Sequence, residues 1–269
     1  MIVLFHLRLC VIIYESERQM DIIQIMLTQL KALGIEDGDT LLIHSSLKSL
    51  GRNVSPGQVI DSIIKAVGCY GTVVFPSLSY LSCNKDNPYF DYYKTRSNVG
   101  AIAEYFRTNI DCIRSISPTH SCCAKGHNAE YVISGHILDS TPCGPNSPFN
   151  RVKELGGKIL FIGCGIKPNT SMHAIEELYE PDYLFGEQIE YKIKDVNNNI
   201  FSHKCRSHSF YRTVQRYDRL EQLLKPGKEL RTGYVLNAFC HLIDANAMWG
   251  KAGSKYRENS SYFVDIVLD

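Results

Sequence analysis

The sequence predicts an α/β fold, a three-layer sandwich around a mixed central sheet. Three observations predict it. Before residue 180, short apolar runs of strand type alternate with segments whose apolar residues recur at helical spacing. After Pro181 the pattern changes: Gln188–Lys194 and Ile200–Lys204 flank Asn197-Asn198-Asn199, which predicts an antiparallel hairpin. Finally, 269 residues at 44% apolar content suffice to bury a substantial core.

The elements follow in order. Ile22, Ile23, Ile25, Met26, Leu30 and Leu33 mark a helix over 20–33 that stops at Gly34. Residues 40–44, Thr-Leu-Leu-Ile-His, read as a strand. Pro56 opens a helix carrying Val59, Ile60, Ile63, Ile64 and Val67, and Gly68 ends it. A second strand spans 71–75 and ends at Pro76. The polar and aromatic stretch 77–97 reads as a long loop, a length that is usually functional or disordered. A short helix is expected over 99–107, a strand over 120–124, a helical turn over 129–134, a helix over 147–155 and a buried strand over 158–162. Further on, helices are expected at about 208–224 and 234–248, and a final strand over 261–268. No repeat or low-complexity linker divides the chain, so residues 20–269 are expected to form a single domain.

Lys plus Arg is 29 and Asp plus Glu is 28, a net charge of +1. No block of like charge stands out, so no nucleic-acid footprint is expected. Ten cysteines, with no CxxC pair, read as buried free thiols in a reducing compartment, the cytoplasm. Residues 1–14 are apolar apart from His6 and Arg8, too short for a span, which needs about 20 residues. Glu15-Ser16-Glu17-Arg18 lacks the small residues of a signal cleavage site. Residues 1–19 are therefore taken as an N-terminal extension, and no membrane partner is expected.

The residues that point to chemistry begin with His173 and Glu176. Their i, i+3 spacing puts both on one face of a helix that follows the strand over 158–162. A histidine held by a carboxylate near a strand end suits a general base; a structural pair or two exposed residues would show the same spacing. Ser45, Ser46 and Leu47 follow the first strand, where open α/β sheets bind ligands, although a serine pair there is also ordinary turn chemistry. The stretch from Arg114 to Ser121 holds a guanidinium, several hydroxyls and His120, a set suited to an anion or to a polar connection. Gly163-Cys164-Gly165 suggests a nucleotide or S-adenosylmethionine loop, but the third glycine is missing and Pro168 interrupts it. Cys164 as a nucleophile is set against a buried thiol. His203, Cys205 and His208 suggest zinc, yet no fourth ligand is spaced nearby and no metal is expected.

In order along the chain these segments resemble the aminoglycoside 3-N-acetyltransferase family, antibiotic N-acetyltransferases of non-GNAT type. The resemblance is carried by residues 38–40 through His44-Ser45-Ser46-Leu47 to Gly51, by 71–76, and by Phe90-Asp91 with Thr95 and Gly100. It continues through Arg114-Ser115, residues 118–121 with Ala124 and Gly126, Ser147-Pro148-Phe149, residues 157–160, Gly163, and Asn169-Thr170-Ser171-Met172-His173 with Glu176. It covers roughly 20–180 well and the rest weakly.

The resemblance implies the antibiotic N-acetyltransferase-like fold and an acetyl-CoA-dependent transfer to an amine of an aminoglycoside or related amino sugar. It implies His173 as general base and Glu176 as its orienting partner. It places acetyl-CoA against Ser45, Ser46, Leu47, Arg114, Ser115, Thr119 and Ser121. The loops of the acceptor side depart from the family: Phe90-Asp91-Tyr92 lacks a proline, and Glu177-Leu178-Tyr179 stands where an arginine is usual. Asp91 and Glu177 are the expected acceptor contacts. A homodimer is compatible with this reading. Amino-sugar acylation in surface polysaccharide synthesis, a CoA-binding protein without transferase activity, and an S-adenosylmethionine methyltransferase stay open as alternatives.

Overall fold

The computed structural model describes residues 21–267, so the expected extension 1–19 lies outside the described residues. At the middle of its central sheet β1 (Thr40–Ser45), β2 (Thr72–Pro76) and β6 (Lys158–Ile162) run parallel. On one side β5 (Cys122–Gly126) and β4 (Ile113–Arg114) add antiparallel; on the other, β11 (Ala238–Asp244) and β10 (Leu230–Val235) do the same. The seven strands thus lie in the order β10-β11-β6-β1-β2-β5-β4.

Each central strand buries both faces, which is why it reads as a continuous apolar run. Leu41, Ile43, Val73, Phe75, Leu160 and Ile162 enter one core layer; Leu42, Val74, Ile159 and Phe161 enter the opposite one. The first layer is closed by α1 (21–33), α3 (Pro56–Val67) and α4 (Ala101–Asn109). The second is closed by α5 (Ala129–Ile133), α6 (Pro148–Glu154), α7 (Ser171–Tyr179) and α8 (Ala245–Glu258). Local signals fix the helix ends. Ser55 and Gln58 form a reciprocal capping box at the start of α3, with Pro56 at its first turn. The short α2 (Leu47–Leu50) follows β1 directly. The sandwich expected from the sequence is the observed fold.

Two smaller sheets flank it. In one, β7 (Phe185–Lys194) pairs antiparallel with β8 (Ile200–His208), the hairpin turning at the expected asparagines. Its other neighbour is β3 (Tyr89–Asp91), a short parallel strand inside the segment expected as loop. In the other, β9 (Thr213–Gln215) pairs with β12 (Val264–Ile266), a shorter final strand than 261–268 suggests.

Two helix expectations are corrected. Residues 208–224 hold β9 and a 3-10 turn over Tyr217–Gln222 instead of one helix. Within 234–248 the chain completes the β10–β11 hairpin, and α8 starts only at Ala245, capped by Asp244. The hairpin turns at Leu236 and Asn237, with Leu236 at φ 50°. No glycine marks that turn, and Val235, Ala238, Leu242, Ala245 and Trp249 also happen to fit helical spacing. Among the described residues, no helix is long and apolar enough to cross a membrane.

Candidate active site

The chain passes from β1 to β2 on one side, and β6 later joins β1 on the other. Ligands of open α/β sheets bind beyond the strand carboxyl ends at such a reversal. A cleft of about 830 Å³ lies there. Its floor includes His44 and Ser45 from β1, Pro76 from β2 and Cys164 after β6. Asn169, Thr170 and His173 line it from the start of α7, and Thr119 and His120 from the segment before β5. Leu78, Tyr80, Cys83 and Asn84 of the 77–97 loop form another wall, and the small sheets add Tyr191 and His208, with Phe210 just after β8.

His173 is the centre of the polar network. Its Nδ1 lies 3.1 Å from Glu176 Oε2 and 2.9 Å from the Tyr217 hydroxyl. The helical i, i+3 spacing on α7 sets the first contact. Glu176 is fully buried yet amply satisfied. The Tyr217 hydroxyl donates to Oε2 at 2.7 Å, and the Tyr183 and Tyr256 hydroxyls donate to Oε1 at 3.0 and 2.9 Å. Burial, reinforced by the Glu176 carboxylate, pushes all three phenols up, so they stay protonated donors. The carboxylate therefore accepts three phenolic protons and the imidazole Nδ1–H. Nδ1–H facing Glu176 leaves Nε2 as the nitrogen that can take a proton.

Three more imidazoles border the same cleft. His120 and His208 have ring centroids 6.0 and 5.2 Å from His173, and 5.2 Å from each other. Thr119 Oγ1 lies 2.8 Å from His120 Nδ1. His44 stacks on Phe161, centroids 5.0 Å apart, and its Nε2 has no partner among the described residues. Burial drives His120 and His208 well below the usual imidazole range and takes His44 down to about 3. His136, buried behind Ser115, is pushed down to about 4 by the same cause. Burial acts oppositely on Glu177, raising its carboxyl to about 7.

These shifts set a pH dependence of stability. The unfolded imidazoles bind protons below about 6.5 and the folded ones do not. Their contribution is full above that pH and is lost as pH falls. Glu177 works the other way: its contribution is present below 4.5 and is lost as pH rises through about 7. Asp139, raised by burial, adds to Glu177. With His241, which burial also lowers, five imidazoles outweigh two carboxyls, so stability falls between pH 6.5 and 5. Each uncompensated proton contributes up to about 1.4 kcal/mol per pH unit. Thermal melts across that window check the sign, and a melting temperature that rises on acidification overturns it.

Of the residues expected to hold cofactor, Ser45 and Thr119 line the cleft. The Ser46 amide donates to Ile162 O at 2.8 Å, and Leu47 packs on the first core layer. Arg114 is placed otherwise than expected. It is buried, with Nε 3.0 Å from Ser121 Oγ and its terminal nitrogens donating to the carbonyls of Tyr92, Thr95 and Ser77. Its guanidinium lies 4.7 Å over Phe90. This arginine ties the 77–97 loop to the sheet. Ser115 Oγ is bound to His136 and to the Cys122 amide, and Ser121 Oγ donates to Ser77 O. All three side chains are satisfied inside the protein.

The expected acceptor contacts are also internal. Asp91 Oδ1 accepts from the amides of Tyr93 and Lys94, each at 3.0 Å. Glu177 accepts from Thr141 Oγ1 at 2.5 Å, Cys143 N at 2.8 Å and His208 Nε2 at 2.8 Å.

Cys164 borders the cleft, but burial pushes its thiol up to about 12, which keeps it from acting as a thiolate. Gly163 has φ 64°, and a Cβ there would meet Ser49 Oγ at 1.8 Å. The Gly163-Cys164-Gly165 motif is thus a tight turn against α2. His203 Nε2 is bound to Asp139 O, and no group of three ligating side chains among the described residues could hold a metal. The cleft histidines His44, His120 and His208 and the three tyrosines were missed as site residues. Strand-end positions mark His44 and His208, and nothing local marks the tyrosines.

A three-layer α/β protein with a polar cleft over its parallel strands, centred on a carboxylate-held histidine, is what the geometry defines. The family model of aminoglycoside 3-N-acetyltransferase matches residues 42–256, and the chain belongs to that family. Aminoglycoside N(3)-acetyltransferase IV of Salmonella sp is 33% identical over 160 residues, 59% of this chain and 59% of that protein. The chain thus spans about three fifths of that relative's length. Aminoglycoside acetyltransferase AAC(3)-IVa, solved as a histidine-to-alanine variant in complex with a gentamicin, superposes with a TM-score of 0.75 at 27% identity, covering 88% of this chain and 89% of that one. AAC-IIIb, solved as a binary complex with CoASH, shares the fold at 23% identity and a TM-score of 0.73, covering 87% and 95%.

Proposed function

We propose that this chain transfers the acetyl group of acetyl-CoA to an amine of an aminoglycoside or related amino sugar, with residues 20–269 as one catalytic domain in the cytoplasm. The observation that carries the reading is His173, held by Glu176 and facing the cleft. The substrate amine attacks the thioester carbonyl carbon and a C–N bond forms. His173 Nε2 takes the proton the amine must lose, and Glu176 stabilises the resulting imidazolium. The C–S bond then breaks, and the proton passes to the leaving CoA thiolate. No covalent enzyme intermediate is required. Ser45, on the cleft floor, is our candidate for the hydroxyl that meets the carbonyl oxygen.

Acetyl-CoA would enter the same cleft as the second substrate. Lys167 is the cationic side chain among the cleft-lining residues and takes over the phosphate role expected of Arg114. The replacement Arg114→Met should lower stability by about 2–4 kcal/mol, because it strands several buried acceptors. It should leave the KM for acetyl-CoA within about threefold. A tenfold rise in that KM at unchanged melting temperature would restore Arg114 to the cofactor site.

One observation favours an amino sugar with few ammonium groups over a polycationic antibiotic. The cleft-lining residues offer hydroxyl, amide and imidazole groups and include no carboxylate, and Glu176 and Glu177 behind them are held by internal hydrogen bonds. Such uncharged donors and acceptors suit sugar hydroxyls. Thiol release from acetyl-CoA, measured with gentamicin, glucosamine and no amine, tests both readings. Release that depends on the amine supports transfer, and the preferred amine separates the two. Release at the same rate without amine contradicts both.

A further inference from the structure

Glu176 and Glu177 are neighbours on α7 but serve different histidines. Glu176 orients His173, whereas Glu177 Oε1 lies 2.8 Å from His208 Nε2. Glu177 Oε1 also accepts from Cys143 N, and Oε2 accepts from Thr141 Oγ1, so internal partners hold both carboxylate oxygens. His208, at the end of β8, lines the cleft with its side chain 5% exposed. Phe210 and Phe185 pack against its ring, with centroids 5.3 and 6.0 Å away. Its Nδ1 is buried and has no partner among the described residues. A buried polar nitrogen on a cleft wall without an internal partner calls for one from the cleft.

We infer that His208, oriented by Glu177, is an acceptor-positioning residue: its Nδ1 takes a hydrogen bond from a hydroxyl or ammonium that flanks the reacting amine of the substrate. The tautomer follows from the pairing. When Nε2–H donates to the Glu177 carboxylate, Nδ1 carries the lone pair and can only accept. The two rings are 5.2 Å apart, so His173 and His208 address neighbouring groups of one small molecule. The substrate class is therefore an amine with a second donor close by, as on an amino sugar, and a lone alkylamine lacks half of the recognition. This rests on the transferase reading above.

The test combines steady-state kinetics with calorimetric titration of gentamicin and of glucosamine into the full chain. His208→Phe should raise the acceptor KM and Kd by about 10–100-fold, the range of one lost hydrogen bond to a polar or charged group. The KM for acetyl-CoA should stay within about threefold. Glu177→Leu should follow His208→Phe, and His208→Asn, whose amide oxygen stands near the Nδ1 position and can accept the same bond, should recover part of the loss. Wild-type binding without turnover would sink the transferase reading alone, since the Kd comparison still decides the role of His208. An acceptor Kd unchanged within threefold in His208→Phe overturns the inference. So does a kcat loss at constant acceptor KM, or the absence of binding of both amines to the wild type.

Discussion

His173→Ala lowers kcat for acetyl transfer by about 10²–10⁴-fold, the range that a positioned general base supplies. The side chain lies on the cleft wall, so the variant is expected to fold and, on the proposed function, to keep its affinity for acetyl-CoA. Tyr217→Phe gives a smaller loss, on the order of tenfold, because Glu176 still holds Nδ1 when the phenol is gone. Initial-rate thiol release with paired calorimetry separates these effects. Unchanged turnover in His173→Ala removes His173 as the base. A loss that appears wholly in the affinity for acetyl-CoA gives it a binding role instead.

Glu176→Ala has the largest expected effect on stability. The carboxylate accepts from the Tyr183, Tyr217 and Tyr256 hydroxyls and from the His173 imidazole, all inside the protein. Its removal strands these donors in a buried site and costs about 3–5 kcal/mol. In a chain of this size that corresponds to a fall in melting temperature of roughly 10 °C or more. Turnover falls as well, because the imidazole loses the group that fixes its tautomer. Glu176→Gln, which keeps the volume and one acceptor oxygen, recovers much of the stability and little of the rate. Differential scanning calorimetry of the two variants tests this. A Glu176→Ala protein as stable as the wild type would show that the four donors do not depend on the carboxylate.

The legible parts of the molecule were those whose cause is local. The strands β1, β2 and β6 alternate between two buried faces, so their composition alone marks a sheet covered on both sides. His173 and Glu176 meet through one turn of helix, and their spacing in the sequence shows it. What sequence reading missed depends on distant partners. Arg114 among hydroxyls looks like an anion site until the folded 77–97 loop brings the carbonyls of Tyr92 and Thr95 onto its guanidinium. Glu177 looks like a substrate contact until β8 delivers His208 from 31 residues away. The tyrosines on Glu176 come from as far as 80 residues along the chain. The β10–β11 hairpin was hidden because Leu236, in place of glycine, takes the left-handed turn position.

The central claim is that this cleft joins an acetyl group to an amine through His173. Intact-mass analysis of gentamicin and glucosamine, incubated with acetyl-CoA and the protein, reads that event directly. The expected result is one acetyl addition per released CoA thiol with the wild type, and no addition beyond the enzyme-free control with His173→Ala. Thiol release without an acetylated amine, or acetylation by His173→Ala at the wild-type rate, would contradict it.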